Sequence, residues 1–163
     1  MSYRCATCGK VHDDLPDIGS NRPDQWWGVA EDERDKRIKL TSDTCVIDEQ
    51  DYFIRGVIEI PIHDYPRTFG FGAWVSQKKE NFMKYLDNWD SDNIGPFFGW
   101  LCTRITYYAE DTRSLKTMVH FRTGNSRPTI ELEPTDHPLA IDQSEGISLD
   151  KAWEIVHHYV RDA

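Results

Sequence analysis

The sequence lacks any run of about 20 apolar residues, and its mean hydropathy is -0.65, so it contains no candidate membrane-spanning helix. No apolar stretch follows the single basic residue of Met1-Ser2-Tyr3-Arg4-Cys5, so no secretory signal is expected and a cytoplasmic protein is the default. It also lacks a basic surplus. Nineteen Lys and Arg face 28 Asp and Glu, a net charge of -9, and without spare cations to neutralise phosphates a nucleic-acid partner is excluded. Familiar catalytic signatures are missing too: there is no G-x-S-x-G elbow, Walker loop, H-E-x-x-H or G-x-G-x-x-G. Internal repeats and low-complexity tracts are absent.

What remains is 163 residues, enough for one ordinary hydrophobic core. The expected organisation is a single domain, 1–163, in which residues 1–50 pack on a core formed by 51–163. Charge is unevenly placed along it. Residues 1–51 carry seven basic and twelve acidic side chains, 52–130 carry ten and eight, and 131–163 carry two and eight. Both ends are therefore acidic around a slightly basic middle. Such a distribution keeps a protein soluble and attracts basic partners.

Periodicity supplies the elements. Tyr52 to Ile62 places Ile54, Ile58, Ile60 and Ile62 on one side and Arg55 and Glu59 on the other, the alternation of a half-buried strand. Thr68 to Ser76 does the same with Phe69, Phe71, Ala73 and Val75, and its glycines suggest a bulge or a close backbone approach. From Gln77 the period becomes helical, with Phe82, Tyr85, Leu86 and Trp89 on one face and Ser76 as the expected cap. Ala30–Lys39 reads as a short solvated helix, Phe97–Tyr108 as a long strand, and Leu115–Arg122 with Thr129–Glu133 as a hairpin about Gly124-Asn125-Ser126. Glu133–Gly146 reads as a polar loop, after which Ser148 opens a last helix. The fold class is α+β, a largely antiparallel sheet with flanking helices and a zinc-knuckle-like N-terminal segment.

The chemistry concentrates in four cysteines. Cys5-Ala6-Thr7-Cys8-Gly9 has the form of a knuckle: a tight turn directs two thiolates at one ion, and a glycine relieves the backbone just after. Structural zinc takes four N or S ligands in a tetrahedron, so this is half a site. The rest must come from His12, Cys45, Asp48, Cys102 or His137. Cys45, the next thiol, is preferred as third ligand and His12 as fourth, giving the set Cys5, Cys8, His12 and Cys45 with structural zinc as cofactor. A redox pair is disfavoured because no strand precedes the motif, a disulfide needs an oxidising compartment, and unpaired buried thiols are the plain alternative. Asp90-Ser91-Asp92-Asn93-Ile94-Gly95 resembles a calcium loop, but Ile94 and Leu101 stand where ligands are required.

Elsewhere His120, Arg122, Glu131 and Glu133 read as a solvated cross-strand charge ladder. Asp136-His137-Pro138 sets an imidazole beside a carboxylate, either a general base or metal ligand or else a turn that bonds its own backbone. Trp26-Trp27 and Trp74 could form an aromatic patch, although core packing is the commoner use. His157-His158 suggests no site, only cations suited to a helix C-terminus.

Several motifs together carry a resemblance: Cys5-x-x-Cys8-Gly9-x-x-His12-x-x-Leu15-Pro16, Ser42-Asp43-x-Cys45-Val46-Ile47-Asp48, Tyr52-Phe53-Ile54-Arg55-Gly56, Trp74-Val75-Ser76, and Arg127-Pro128-x-x-Glu131-Leu132-Glu133-Pro134-Thr135-Asp136-His137-Pro138-Leu139-Ala140. These closely resemble the bacterial family known as domain of unknown function 2199, over nearly the whole chain. The resemblance implies no established activity. It marks Cys5, Cys8, His12, Cys45 and the Asp136-His137 loop as motif positions, which supports zinc. Trp26-Trp27-Gly28 departs from the family's usual short approach to the first helix.

Two functions are expected from this reading. The first is a non-enzymatic, zinc-stabilised module whose acidic ends recognise a basic protein partner, in the manner of a toxin-neutralising immunity protein. The alternative is a small zinc-dependent hydrolase with an open metal position near Asp136-His137.

Overall fold

Alternation of apolar residues builds the centre of the molecule. In the computed structural model, which describes residues 2–160, strand β6 (Asp51–Ile60) buries Ile54, Ile58 and Ile60 completely while Arg55 and Glu59 stay half-exposed. Strand β7 (Phe69–Gln77) lies antiparallel to it over nine residue pairs, from Tyr52↔Gln77 to Ile60↔Phe69, and turns Phe69, Phe71, Ala73 and Val75 to the same side. Before these come β1 (Tyr3–Arg4), β2 (Val11–His12), β3 (Ile18–Gly19), two 3-10 turns (Asp24–Gly28 and Glu31–Glu33), helix α1 (Arg34–Arg37), β4 (Ile38–Leu40) and β5 (Thr44–Ile47). After them come α2 (Lys79–Asp87), β8 (Phe97–Trp100), β9 (Lys116–His120), β10 (Thr129–Leu132), α3 (Pro138–Glu145) and α4 (Leu149–Tyr159). None of these helices is long and apolar enough to cross a membrane.

The main sheet is largely antiparallel, as expected, with two parallel pairings that make it mixed. Its strands run β3-β7-β6-β10-β9-β8, with parallel pairing at β3–β7 and at β6–β10. Close approach explains the first parallel pair, since a Cβ at Gly19 would stand 2.8 Å from the Cα of Gly72. The first half of β6 pairs with β5 and the second half with β10, so its neighbour changes midway. Gln143 of α3 fills the gap where β10 departs: its amide donates to Ile130 O and accepts from Leu132 N. The far end of the sheet curls back, Leu101 bridging Val75 and Cys102 N donating to Trp74 O.

One side of this curved sheet carries the main core. Side chains from α2 (Phe82, Tyr85), α3 (Leu139, Ala140) and α4 (Ala152, Trp153, Ile155, Val156) pack there, together with Cys5 and Leu15 from the N-terminal segment. The other side has a smaller core of Val29, Cys45, Ile47, Phe53, Trp74 and Cys102.

The strands β6 and β7, the β9–β10 hairpin and the last helix stand where periodicity puts them, and Ser148 Oγ caps α4 by accepting from Lys151 N. Four local expectations fail. Ala30–Lys39 gives only one 3-10 turn and four helical residues before Ile38 pairs with Ile47. Ser76 is no cap; it lies in β7, where its Oγ accepts from Trp100 N. Phe97–Tyr108 stops being a strand at Trp100, because Thr112 Oγ1 donates to Thr103 O and accepts from Ile105 N, folding the chain back. The supposed loop 133–146 holds α3, with Pro138 in its first turn, His137 as cap and Gly146 at φ 82° ending it.

Candidate metal centre

The first twelve residues contain too few apolar groups to fold alone, and a short hairpin organises them. Tyr3 pairs with His12 and Arg4 with Val11. The connecting turn is held by Cys5 N donating to Lys10 O and Gly9 N donating to Cys5 O, with Gly9 at φ 75°. A left-handed residue at that point favours glycine, which is why Gly follows the second cysteine. The turn brings Cys5 and Cys8 to one side, and His12, one residue into the return strand, joins them.

The fourth member comes from the other end of the chain. Donor atoms of Cys5, Cys8, His12 and His157 all lie within 4.8 Å of one another. Cys5 Sγ is 3.4 Å from His157 Nε2, and Cys8 Sγ is 3.2 Å from His12 Nε2. A tetrahedron with metal–sulfur bonds of about 2.3 Å and metal–nitrogen bonds of about 2.0 Å has sulfur–nitrogen edges of roughly 3.6 Å. These two sulfur–nitrogen spacings are close to those edges and the other pairs lie within 4.8 Å, so the four atoms could close on one small ion.

Helix α4 does more than supply His157. Trp153, one turn earlier and buried, stacks on the His12 ring with centroids 3.9 Å apart and planes 15° apart. The helix thus orients one imidazole with an indole and contributes another itself. His157 stands in the last turn of α4, where the helix dipole favours positive charge, so a cation there is stabilised. Cys5 is buried and Cys8 is exposed. Burial alone would push the Cys5 thiol up, but hydrogen bonds from the Cys8 and Thr7 backbone, joined by their side chains, outweigh it and lower its pKa.

Cys45 is not with this group, and the choice of Cys45 as third ligand is corrected. It sits in β5 opposite Phe53, fully buried in the smaller core, where desolvation pushes its thiol up to about 11. A metal ligand needs the reverse. Cys102 shares that core, and its thiol donates to Trp100 O. Asp48 is held by Arg37 through two bonds of 2.7 and 2.8 Å. His137 is buried with both ring nitrogens engaged: Nδ1 accepts from Leu139 N, and Nε2 stands 3.3 and 3.2 Å from the Glu110 and Asp111 carbonyls. It is a helix cap and a loop anchor, with no nitrogen left to act as a base or ligand.

The charge ladder is realised only in part. His120 stands 3.4 Å from Glu131, whereas Arg122 turns to Glu59. Trp74 is wholly buried and donates to Ser20 O, while Trp27 is exposed beside Trp26, whose ring has the guanidinium groups of Arg22 and Arg34 at 4.1 and 3.8 Å from its centroid.

A family model described as "Uncharacterized protein conserved in bacteria (DUF2199)" matches residues 4–147. The chain belongs to this family. Within this DUF2199 protein the match takes in Cys5, Cys8 and His12 and stops before α4, so His157 lies beyond it. No curated protein and no solved structure matches the chain. Only the doubled histidine near the end of an amphipathic helix hinted at the fourth donor, and no local spacing ties it to a turn 152 residues earlier.

Proposed function

We propose that the Cys5–Cys8–His12–His157 cluster is a structural zinc site and that the protein it fastens is a non-enzymatic module for a basic protein partner. The observation that supports this reading is a set of four protein donors, two sulfur and two nitrogen, all within 4.8 Å of one another. Two thiolates balance the charge of Zn²⁺. A hydrolytic zinc needs an open position for water, and four protein ligands leave none. Both nitrogens of His137 face backbone partners, which favours a structural role for it over that of a hydrolase's base.

Fastening residue 5 to residue 157 also joins the two acidic ends of the chain, the segments 1–51 and 131–163. An acidic excess at both chain ends suits a partner with a basic face, as an immunity protein meets a toxin. Free thiolate ligands belong in a reducing compartment, so the protein works in the cytoplasm.

X-ray absorption on protein purified with reductant and without chelator tests the site. The expected result is one zinc per chain with two sulfur and two nitrogen neighbours; metal-free protein or an oxygen-rich shell would overturn it. For the partner, co-purification with the product of an adjacent gene is measured at low and high salt. Association led by charge weakens steeply as salt rises, and a complex indifferent to salt contradicts it.

A further inference from the structure

A cavity of about 400 Å³ opens beside the turn between β9 and β10, where the partner of β6 changes from β5 to β10, and it shares no residue with the metal centre. That volume falls within the roughly 300–1,000 Å³ of small-molecule sites. Tyr85 of α2 forms part of its wall, 7 % exposed and packed on Phe121 with ring centroids 5.1 Å apart. Its hydroxyl has no hydrogen-bond partner among the described residues, yet it keeps contact with solvent, unlike the enclosed hydroxyl of Tyr3. A tyrosine buried to this extent usually finds a partner for its O–H. Trp89, 5.0 Å from Tyr85 and 46 % exposed, continues the aromatic wall, and Asn125 N donating to Asp90 Oδ1 ties the rim together.

Asp43 and Arg127 line the same cavity. Both stand just outside their strands, in the gap where β5 leaves β6 and β10 joins it, and Arg127 Nε donates to Asp43 Oδ1 at 2.8 Å. Burial pushes the Tyr85 phenol up to about 12, with Asp43 adding to the rise and Arg127 opposing it. The hydroxyl is therefore a proton donor within electrostatic reach of both. The Arg127 side chain is 40 % exposed, and its two Nη groups make no hydrogen bond among the described residues, so one edge of the guanidinium is open.

The cations of this lining are already compensated, Arg127 by Asp43 and Arg122 by Glu59. Asp90 adds a further negative charge. A phosphate or carboxylate would therefore bring charge of the wrong sign. What stands unfilled is a set of donors beside an aromatic wall, and these call for acceptors on a flat, uncharged ring. Two neighbouring acceptors suit the fork of a guanidinium, as the O6 and N7 edge of guanine does, and a heteroaromatic ring packs well on indole.

We propose that this cavity binds an uncharged oxopurine, as free base or nucleoside, with O6 and N7 on the open edge of Arg127, the Tyr85 hydroxyl donating to O6 and the ring against Trp89. The inference goes beyond the metal and partner readings above and depends on neither.

Inosine is the probe, titrated into the full protein and followed by the Trp89 indole N–H resonance. Adenosine, which presents an amino donor in place of O6, inosine monophosphate and benzoate are the comparisons. The expected result is saturable movement of Trp89 with inosine, binding at least tenfold weaker with adenosine, and weaker binding of both anions than of inosine. Trp89→Ala should weaken inosine binding at least tenfold and Tyr85→Phe severalfold, while Trp89→Phe keeps most of it; unchanged spectra away from the cavity show that the variants fold. No movement of Trp89 with inosine, or an equal response to adenosine, would overturn the proposal. Tighter binding of benzoate or inosine monophosphate than of inosine would overturn it too, by making the cavity an anion site.

Discussion

Cys45 and His157 are the two residues by which the metal centre is best tested, because each sits on the wrong side of a simple expectation. Removing the His157 imidazole leaves three protein donors and unfastens α4 from the hairpin. The cost of His157→Ala should exceed the usual ceiling of about 3 kcal/mol for single substitutions, because it would break a metal site, and the change should abolish tight zinc retention. Cys45→Ala removes one buried sulfur from a packed core and should cost about 1 kcal/mol while keeping one zinc per chain. Urea unfolding with metal analysis of both variants separates them; loss of zinc from Cys45→Ala would return that residue to the site. A second test at this scale uses pH. Burial holds Cys45 and Cys102 protonated, each pushed up to about 11 from an ordinary value of 9.0. A thiol raised by folding contributes its stability below pH 9 and loses it as pH climbs through 11, since the unfolded thiol ionises first. Stability should therefore fall between pH 9 and 11, and the Cys45→Ala/Cys102→Ala double variant should show a shallower fall in unfolding midpoint over that window.

At the scale of elements, the clearest device is the seam between β6 and β10. Gln143 joins the two parallel strands where they diverge, bonding Ile130 O and Leu132 N on one strand and reaching Glu59 O on the other at 3.4 Å. Gln143→Leu keeps the volume and leaves those backbone groups unpaired, at a cost of about 1–3 kcal/mol. Hydrogen exchange should quicken at Leu132 N without a change at the β6–β7 ladder. The seam also shows what a sequence reveals about its elements. β6, β7 and α4 were legible because one side of each is apolar at the right period and a long contact covers it. α3 was not, since its polar approach through Thr135-Asp136 reads as a loop, and what starts it is His137 turning back as a cap onto Leu139 N. β8 was overextended for the opposite reason: Phe97–Tyr108 alternates well, and only Thr112, far along the chain, folds Thr103 and Ile105 out of the strand. Ser76 looked like a cap until Trp100 N claimed its hydroxyl.

For the whole molecule, a metal held by Cys5, Cys8, His12 and His157 would act as a clasp between chain ends. Cys5, Cys8 and His12 were legible as donors because a knuckle and a nearby imidazole are local patterns; His157 was hidden because only the packing of α4 against the main core delivers it. The sheet is held by its own apolar faces, with Ile54, Ile58, Ile60, Phe69 and Val75 completely buried. Residues 3–12, by contrast, bury chiefly Cys5, and the packing of His12 depends on Trp153. A cross-link closing a loop of 152 residues is worth about 5 kcal/mol by chain entropy, a large share of the 5–15 kcal/mol that roughly stabilises a domain. Chelation should therefore act unevenly. The hairpin β1–β2 and the last two turns of α4 lose their clasp together, while β6, β7, β9 and β10 keep their ladders. Hydrogen–deuterium exchange on metal-loaded and chelated protein should show protection lost from residues 3–19 and 153–159 and retained in 52–60 and 69–77, with recovery on adding Zn²⁺. Uniform loss across the sheet would mean that the metal holds the whole core together, and no change at either chain end would mean that the four donors bind nothing.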